Sequence, residues 1–175
     1  CWAMCRHSEC WPEGLEDDEA PRVLVALGDQ AHAESHRVAD SVTVVGARRA
    51  TSYGREVALA LGADLAAAGC TVISGLAYGI DGAAHRGSLG TGGGSSIAVL
   101  GCGPDVAYPA AHRSIHKRLR AEGLILSELP PKATPWRWTF PARNRIMARM
   151  AAMTVLVEAA ERSGSLITAD LAGDA

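Results

Sequence analysis

From Ser41 onward, short and nearly all-apolar runs alternate with Ala-rich stretches of helical spacing, the pattern of an α/β domain built on a parallel sheet. Residues 42–45, 71–74, 97–100, 124–127 and 154–157 are expected as strands. Their lack of polar alternation is what strands covered by helices on both faces require. Residues 23–27 read as a further, edge strand ahead of this core. The clearest helix is 52–68, where Val57, Leu61 and Leu65 fall four apart on one face and Gly69 supplies the stop. Helices are also expected over 81–89, 111–121 and 143–150 and from 166 onward. In 111–121, Ile115 and Leu119 point inward, while Arg113, Lys117, Arg118 and Arg120 point mostly outward. The segment 128–141 holds Pro130, Pro131, Pro135 and Pro141 with Trp136, Trp138 and Phe140, so a rigid loop is expected, either a cover over a sheet edge or a binding surface.

A chain of 175 residues, 48% hydrophobic, fits one domain with a single core. No apolar run approaches the roughly 18 residues of a membrane helix and no basic-then-apolar leader opens the chain, so a soluble, cytoplasmic protein without a membrane partner is expected. The chain starts at Cys1, and residues 171–175 break off inside an expected helix, so both ends look cut and the sheet is expected to lack its last strands. Five cysteines at uneven spacing argue for free thiols, and Cys1, Cys5, His7 and Cys10 lack the paired spacing of a structural zinc site, so no metal is expected.

The formal net charge of −2 hides an uneven distribution. Residues 1–41 carry three Arg against nine acids, with Glu16, Asp17, Asp18 and Glu19 as a block; residues 42–175 carry the other 14 Lys and Arg against 10 acids. Most of those cations are Arg, which grips phosphate bidentately.

In an open parallel sheet, ligands bind beyond the carboxyl ends of the strands, so the residues just after each strand share one rim. After the first strand come Gly46, Ala47, Arg48 and Arg49; after the second, the stretch from Gly75 through Gly79 to Asp81; after the third, Gly101, Cys102 and Gly103. After the fifth, Glu158 leads to Arg162, Ser163, Gly164 and Ser165. Glycines let backbone N–H groups approach a ligand, and helix N-termini favour anions, so phosphate is the natural guest. The phosphate-binding loop of ATPases, the Gly-rich dinucleotide fingerprint and the nucleophile elbow of hydrolases are all missing. Asp81 and His85, four residues apart, share a helix face and invite an acid/base reading. The preferred reading is a loop brace at Asp81 with His85 hydrogen-bonded beneath the rim.

The ordered motifs resemble the DprA/Smf family of DNA-processing proteins. Val44-Val45-Gly46-Ala47-Arg48 with Thr51-Ser52-Tyr53-Gly54 is similar to the family's first loop, and Ser74-Gly75-Leu76-Ala77-Tyr78-Gly79-Ile80-Asp81 with Ala84-His85-Arg86-Gly87 to its most distinctive signature. Phe140-Pro141-Ala142-Arg143-Asn144-Arg145-Ile146 and Ser163-Gly164-Ser165-Leu166-Ile167-Thr168-Ala169 come next in the family's order, and the likeness covers roughly 11–171. The resemblance implies a Rossmann-like, mostly parallel sheet with helices on both faces, in which 1–41 is a lead-in and 42–175 a C-terminally incomplete core. It implies a non-enzymatic protein without cofactor that binds and protects single-stranded DNA and helps load RecA in natural transformation. A homodimer is expected to be weakened by the incomplete core. It assigns DNA binding to Arg48, Phe140, Arg143, Asn144, Arg145, Ser163, Gly164 and Ser165, and a structural loop signature to Gly46, Gly75, Gly79, Asp81, His85 and Gly101. The alternatives weighed are a non-catalytic nucleotide sensor and a nucleotide-cleaving enzyme of the lysine-decarboxylase-like group. Against the enzyme, the triple glycine Gly92-Gly93-Gly94 precedes the third strand rather than coming after one.

Overall fold

The computed structural model describes residues 1–91 and 95–159. In chain order its elements are β1 (Trp2–Cys5), β2 (Val23–Gly28), α1 (Ala31–Glu34), β3 (Ser41–Gly46), α2 (Ser52–Ala67), β4 (Thr71–Ser74), α3 (Ile80–Gly90), β5 (Ser96–Val99), α4 (Arg113–Glu122), β6 (Leu124–Ser127), α5 (Thr139–Arg149) and β7 (Met153–Val157). Single 3-10 turns at Val38–Asp40 and Ala110–His112 precede β3 and α4.

The strands form one sheet in the order β1-β2-β6-β5-β4-β3-β7. From β6 to β7 every neighbouring pair is parallel, while β2 joins β6 antiparallel and β1 joins β2 antiparallel. The expected edge strand is therefore interior: β2 lies between β6 and β1, in register Ala26↔Leu126 on one side and Ala26↔Trp2 on the other. Four residues, Trp-Ala-Met-Cys, are too short a run to announce β1 by alternation. Its place is fixed by tertiary contacts, with Met4 2% exposed and the Trp2 indole N–H donating to the Gly28 carbonyl at 3.2 Å.

Successive strand residues enter opposite faces of the sheet. Val45, Ile73, Ile97, Val99, Leu124 and Leu126 pack with Ile146 and Met147 of α5, with Met150 just after it, and with Met4, Leu15 and Leu24 of the first 41 residues. On the other face, Val44 and Val72 pack against α2 and α3, while Ala98 and Ile125 pack against Ile115 and Leu119 of α4. Residues 1–41 thus share one sheet and one core with the strands from β3 to β7.

Two expected helices shift. In α2 the buried positions are Gly54, Ala58, Gly62 and Ala66, with Leu61 and Leu65 only half-buried, because a stripe of small residues lets α2 lie against α3 almost backbone to backbone. A Cβ on Gly62 would overlap the Ala84 carbonyl, and one on Gly87 the Leu59 carbonyl. Helix α5 begins at Thr139 rather than at 143. Pro141 falls in its first turn, where a missing N–H leaves no intrahelical bond unmade. Among the described residues no helix is long and apolar enough to cross a membrane.

Candidate nucleic-acid interface

The chain leaves β3 toward β4, β5 and β6 on one side, and β7 returns on the other side of β3. This reversal of strand order opens a crevice beyond the carboxyl ends of β3 and β7, the place where open α/β sheets hold ligands. A cleft of about 780 Å³ lies there, lined by the β3 exit from Gly46 to Arg49, by Tyr108, by Arg137 just before α5 and Phe140 in its first turn, and by Glu158 after β7.

Arg48 is exposed, and its guanidinium carbon lies 4.9 Å from the Phe140 ring centroid, a cation–π contact that holds both groups at the cleft wall. Tyr108 extends the aromatic surface, with its ring 5.8 Å from Phe140 at a 32° tilt. Arg49 and Arg137, also exposed, complete the cationic lining, and among the described residues none of these three Arg has an ion-pair partner.

The floor of the cleft is a buried polar brace. Arg143 is 6% exposed, and its guanidinium donates to the Gly75 carbonyl at 2.7 Å, to the Val99 carbonyl and to Asn144 Oδ1 at 2.9 Å. It also faces Asp81 Oδ2 at 3.7 Å. Arg143 thus lines the cleft from below with its donors turned to backbone carbonyls at the ends of β4 and β5 rather than to open space. A Cβ at position 75 would overlap that guanidinium, so the site needs glycine there. Asp81 accepts the Ala77 N–H at 3.2 Å, and burial pushes both Asp81 and Arg143 toward their neutral forms while the opposite charge of each pulls back. Asn144 is buried beside them.

His85 lies deeper, fully buried, with Nδ1 2.9 Å from Ser96 Oγ, to which Ser88 Oγ also donates at 2.9 Å. Burial pushes its pKa down to about 3, so the ring is neutral. Gly79, at φ +76°, precedes α3, and the Gly101 carbonyl receives the Thr139 hydroxyl at 2.6 Å.

Arg145 is not brought to the cleft. Its guanidinium makes two bonds to the Glu128 carboxylate, at 2.6 and 2.7 Å, and donates to the Glu19 carbonyl at 2.9 Å. One turn on, Arg149 is held by Asp17 at 2.6 Å and Glu19 at 2.7 Å. The acidic block of the first 41 residues therefore lies against these α5 arginines. Ser163, Gly164 and Ser165 lie outside the described residues.

Glu158 has a role that its place in the sequence did not disclose. Its carboxylate accepts the Thr51 N–H at 3.0 Å and the Thr51 hydroxyl at 2.8 Å, while Thr51 Oγ1 caps α2 by accepting the Gly54 N–H at 3.0 Å. Its backbone carbonyl accepts the Ala47 N–H at 2.7 Å and ties the β7 exit to the β3 exit. An in-chain carboxylate thus occupies the helix N-terminus at which a dinucleotide-binding fold takes its pyrophosphate. Sequence reasoning placed Arg49 on the rim without assigning it a role, and passed over Tyr108 and Arg137. The signal was present, since both come after strand ends, but which exits adjoin depends on sheet order.

Comparisons with known proteins agree with this architecture. The family model described as DNA recombination-mediator protein A matches residues 2–175. Protein Smf of Synechocystis sp. is 43% identical over 154 residues, covering 88% of this chain and 38% of its own length, so the chain spans about two fifths of that relative. The crystal structure of DNA processing protein A from Streptococcus pneumoniae superposes with a TM-score of 0.86 at 35% identity, covering 99% of this chain and 59% of that one. The Helicobacter pylori DNA processing protein A, described for its single-stranded DNA binding mode, gives a TM-score of 0.85 at 26% identity, covering 98% of this chain and 76% of that one. With its Rossmann-like sheet, its strand-exit cleft and a family match along nearly its whole length, the chain belongs to the DNA recombination-mediator protein A family, that of DprA and Smf.

Proposed function

We propose that this chain binds single-stranded DNA in the cleft at the carboxyl ends of β3 and β7, by holding rather than by chemistry. The observation that carries this reading is the pairing of Arg48 with Phe140 in an open cleft that also presents Arg49 and Arg137. Arginines neutralise backbone phosphates, and an exposed ring edge or face offers a stacking surface that tolerates every base. In a duplex the bases are already stacked inside, so a cleft of this kind favours the unpaired strand. The H. pylori relative, a single-stranded DNA binder, supports the same reading.

The carboxylates at the cleft are engaged structurally, Asp81 with Arg143 and Ala77, Glu158 with Thr51, and His85 is buried away from it. These contacts tie the three groups to the fold, which is what a holding role asks of them. Fluorescence anisotropy with labelled oligo-dT and a matched duplex, each at two salt concentrations, is the direct test. Tighter binding of the single strand, weakening with salt, is expected; equal or absent binding contradicts the reading. Incubation with nucleoside monophosphates is expected to release no free base.

The finer role we propose is delivery of the protected strand to RecA during natural transformation and recombination, in the cytoplasm and as a homodimer. Faster RecA filament growth on an oligonucleotide preloaded with this chain is the expected result.

A further inference from the structure

The chain has four Trp, three Tyr and one Phe, and they are not spread evenly over its surface. All three Tyr, the Phe and two Trp follow the carboxyl ends of β3, β4, β5 and β6, with Tyr53 and Phe140 in the first turns of α2 and α5, and Tyr108 and Phe140 line the cleft itself. The other two, Trp2 and Trp11, are half-buried near the start of the chain and donate their indole N–H groups to the Gly28 and Leu15 carbonyls. On the rim, Trp136 and Trp138 are each 64% exposed, and Arg137 between them is exposed as well and lines the cleft.

Two indoles left largely in water mark a surface built for contact. The segment beneath them is firmly held. Thr139 Oγ1 lies 2.6 Å from the Gly101 carbonyl and accepts the Trp136 N–H at 3.2 Å, the Gly103 N–H donates to Ala133 at 2.8 Å, and the Lys132 N–H donates to Asp105 at 2.7 Å. The pair is therefore presented on a platform whose ordering cost is already met in the free protein.

We propose that Trp136 and Trp138 form a second base-stacking subsite, which takes unpaired nucleobases of the DNA strand where it leaves the Arg48–Phe140 cleft, with Arg137 holding the phosphate between them. This deepens the single-strand reading above and rests on it. Charge favours DNA as the occupant: Arg137 joins the patch to the cleft, whose exposed charges are Arg48, Arg49 and Arg137, and aromatic rings interleaved with Arg suit an anionic strand of π-faced bases. An acidic peptide or a second copy of the chain would read the charge without needing bases.

The test compares the wild-type chain with Trp136→Ala/Trp138→Ala, Trp136→Phe/Trp138→Phe and Arg48→Ala. Titration with oligo-dT is expected to quench wild-type tryptophan fluorescence strongly and the double-Ala variant weakly, since only Trp2 and Trp11 remain there. Affinity of the double-Ala variant should fall about tenfold or more, and the double-Phe variant should recover most of it. Abasic oligonucleotides should lose affinity for the wild-type chain and lose far less for the double-Ala variant. Because both side chains are exposed, the thermal melting of the variants should match wild type. Unchanged oligo-dT affinity in the double-Ala variant, alongside a loss in Arg48→Ala, overturns the subsite and leaves the cleft reading standing. Failure of the wild-type chain to bind oligo-dT overturns both. A double-Ala variant that dissociates a homo-oligomer in sedimentation while binding DNA normally assigns the patch to a second copy, and also overturns the proposal.

Discussion

Arg48 stands against Phe140 in an open cleft, whereas Arg143, one turn after Phe140 on α5, is 6% exposed and closes strand-end carbonyls. Truncating them should therefore give opposite phenotypes. Arg48→Ala removes an exposed cation and is expected to leave unfolding free energy within about 1 kcal/mol of wild type. Arg143→Ala strands the Gly75 and Val99 carbonyls and the Asp81 carboxylate, and is expected to cost about 3–5 kcal/mol; urea denaturation distinguishes the two. His85 makes a pH prediction. Its folded pKa of about 3 lies below the ordinary value of 6.5, so the unfolded chain takes up the proton first as pH falls. The contribution of the neutral ring is present above pH 6.5 and is lost between 6.5 and 3, at up to about 1.4 kcal/mol per pH unit. Buried His36, shifted the same way by burial, adds to that loss. Denaturation between pH 7 and 5 should show the slope, and the His85 imidazole should remain neutral by NMR at pH 5. The residue types of the site were legible in the sequence, but their directions were not drawn out. Positions 143 and 145 are two apart on a helix, about 200° around its axis, so both could not face one pocket, and Arg145 accordingly meets Glu128 on another side.

At the scale of elements, the five parallel strands fall within one residue of where apolar runs placed them, because a strand buried on both faces needs an unbroken run. Less was legible where the deciding contact is tertiary. Leu and Val spacing suggested the buried face of α2, yet the close face is Gly54, Ala58, Gly62 and Ala66, since hydrophobic size says little when two helix backbones nearly touch. That contact can be tested: Gly62→Ala and Gly87→Ala each insert a methyl against a backbone carbonyl of the facing helix, at Ala84 and Leu59. Each is expected to destabilise by about 1–3 kcal/mol, despite the better helix propensity of Ala, as measured by chemical denaturation. The interior position of β2 was hidden for the same reason, because partners as far apart as Ala26 and Leu126 leave no local signal, and β1 was hidden because its four residues are too few to show a pattern.

For the whole molecule, a net charge of −2 describes neither half of the surface. The acidic lead-in meets α5, where Asp17 and Glu19 hold Arg149 and the Glu19 carbonyl meets Arg145, while the strand-exit cleft keeps Arg48, Arg49 and Arg137 open. Sheet order produces this separation: β7 returns beside β3 and opens the crevice, and Glu158 at its end seals the α2 N-terminus that would otherwise suit a small phosphate ligand. The central claim is that a DNA strand is held at the cleft arginines and not along α5. It is tested most directly by the salt dependence of oligo-dT affinity for the wild-type chain, Arg48→Ala and Arg145→Ala. Loss of one phosphate contact to a single strand should flatten the log–log slope by about 0.7. Weaker binding with that flatter slope is predicted for Arg48→Ala, and wild-type affinity and slope for Arg145→Ala. An unchanged Arg48→Ala, or an Arg145→Ala that reproduces its loss, would contradict the account.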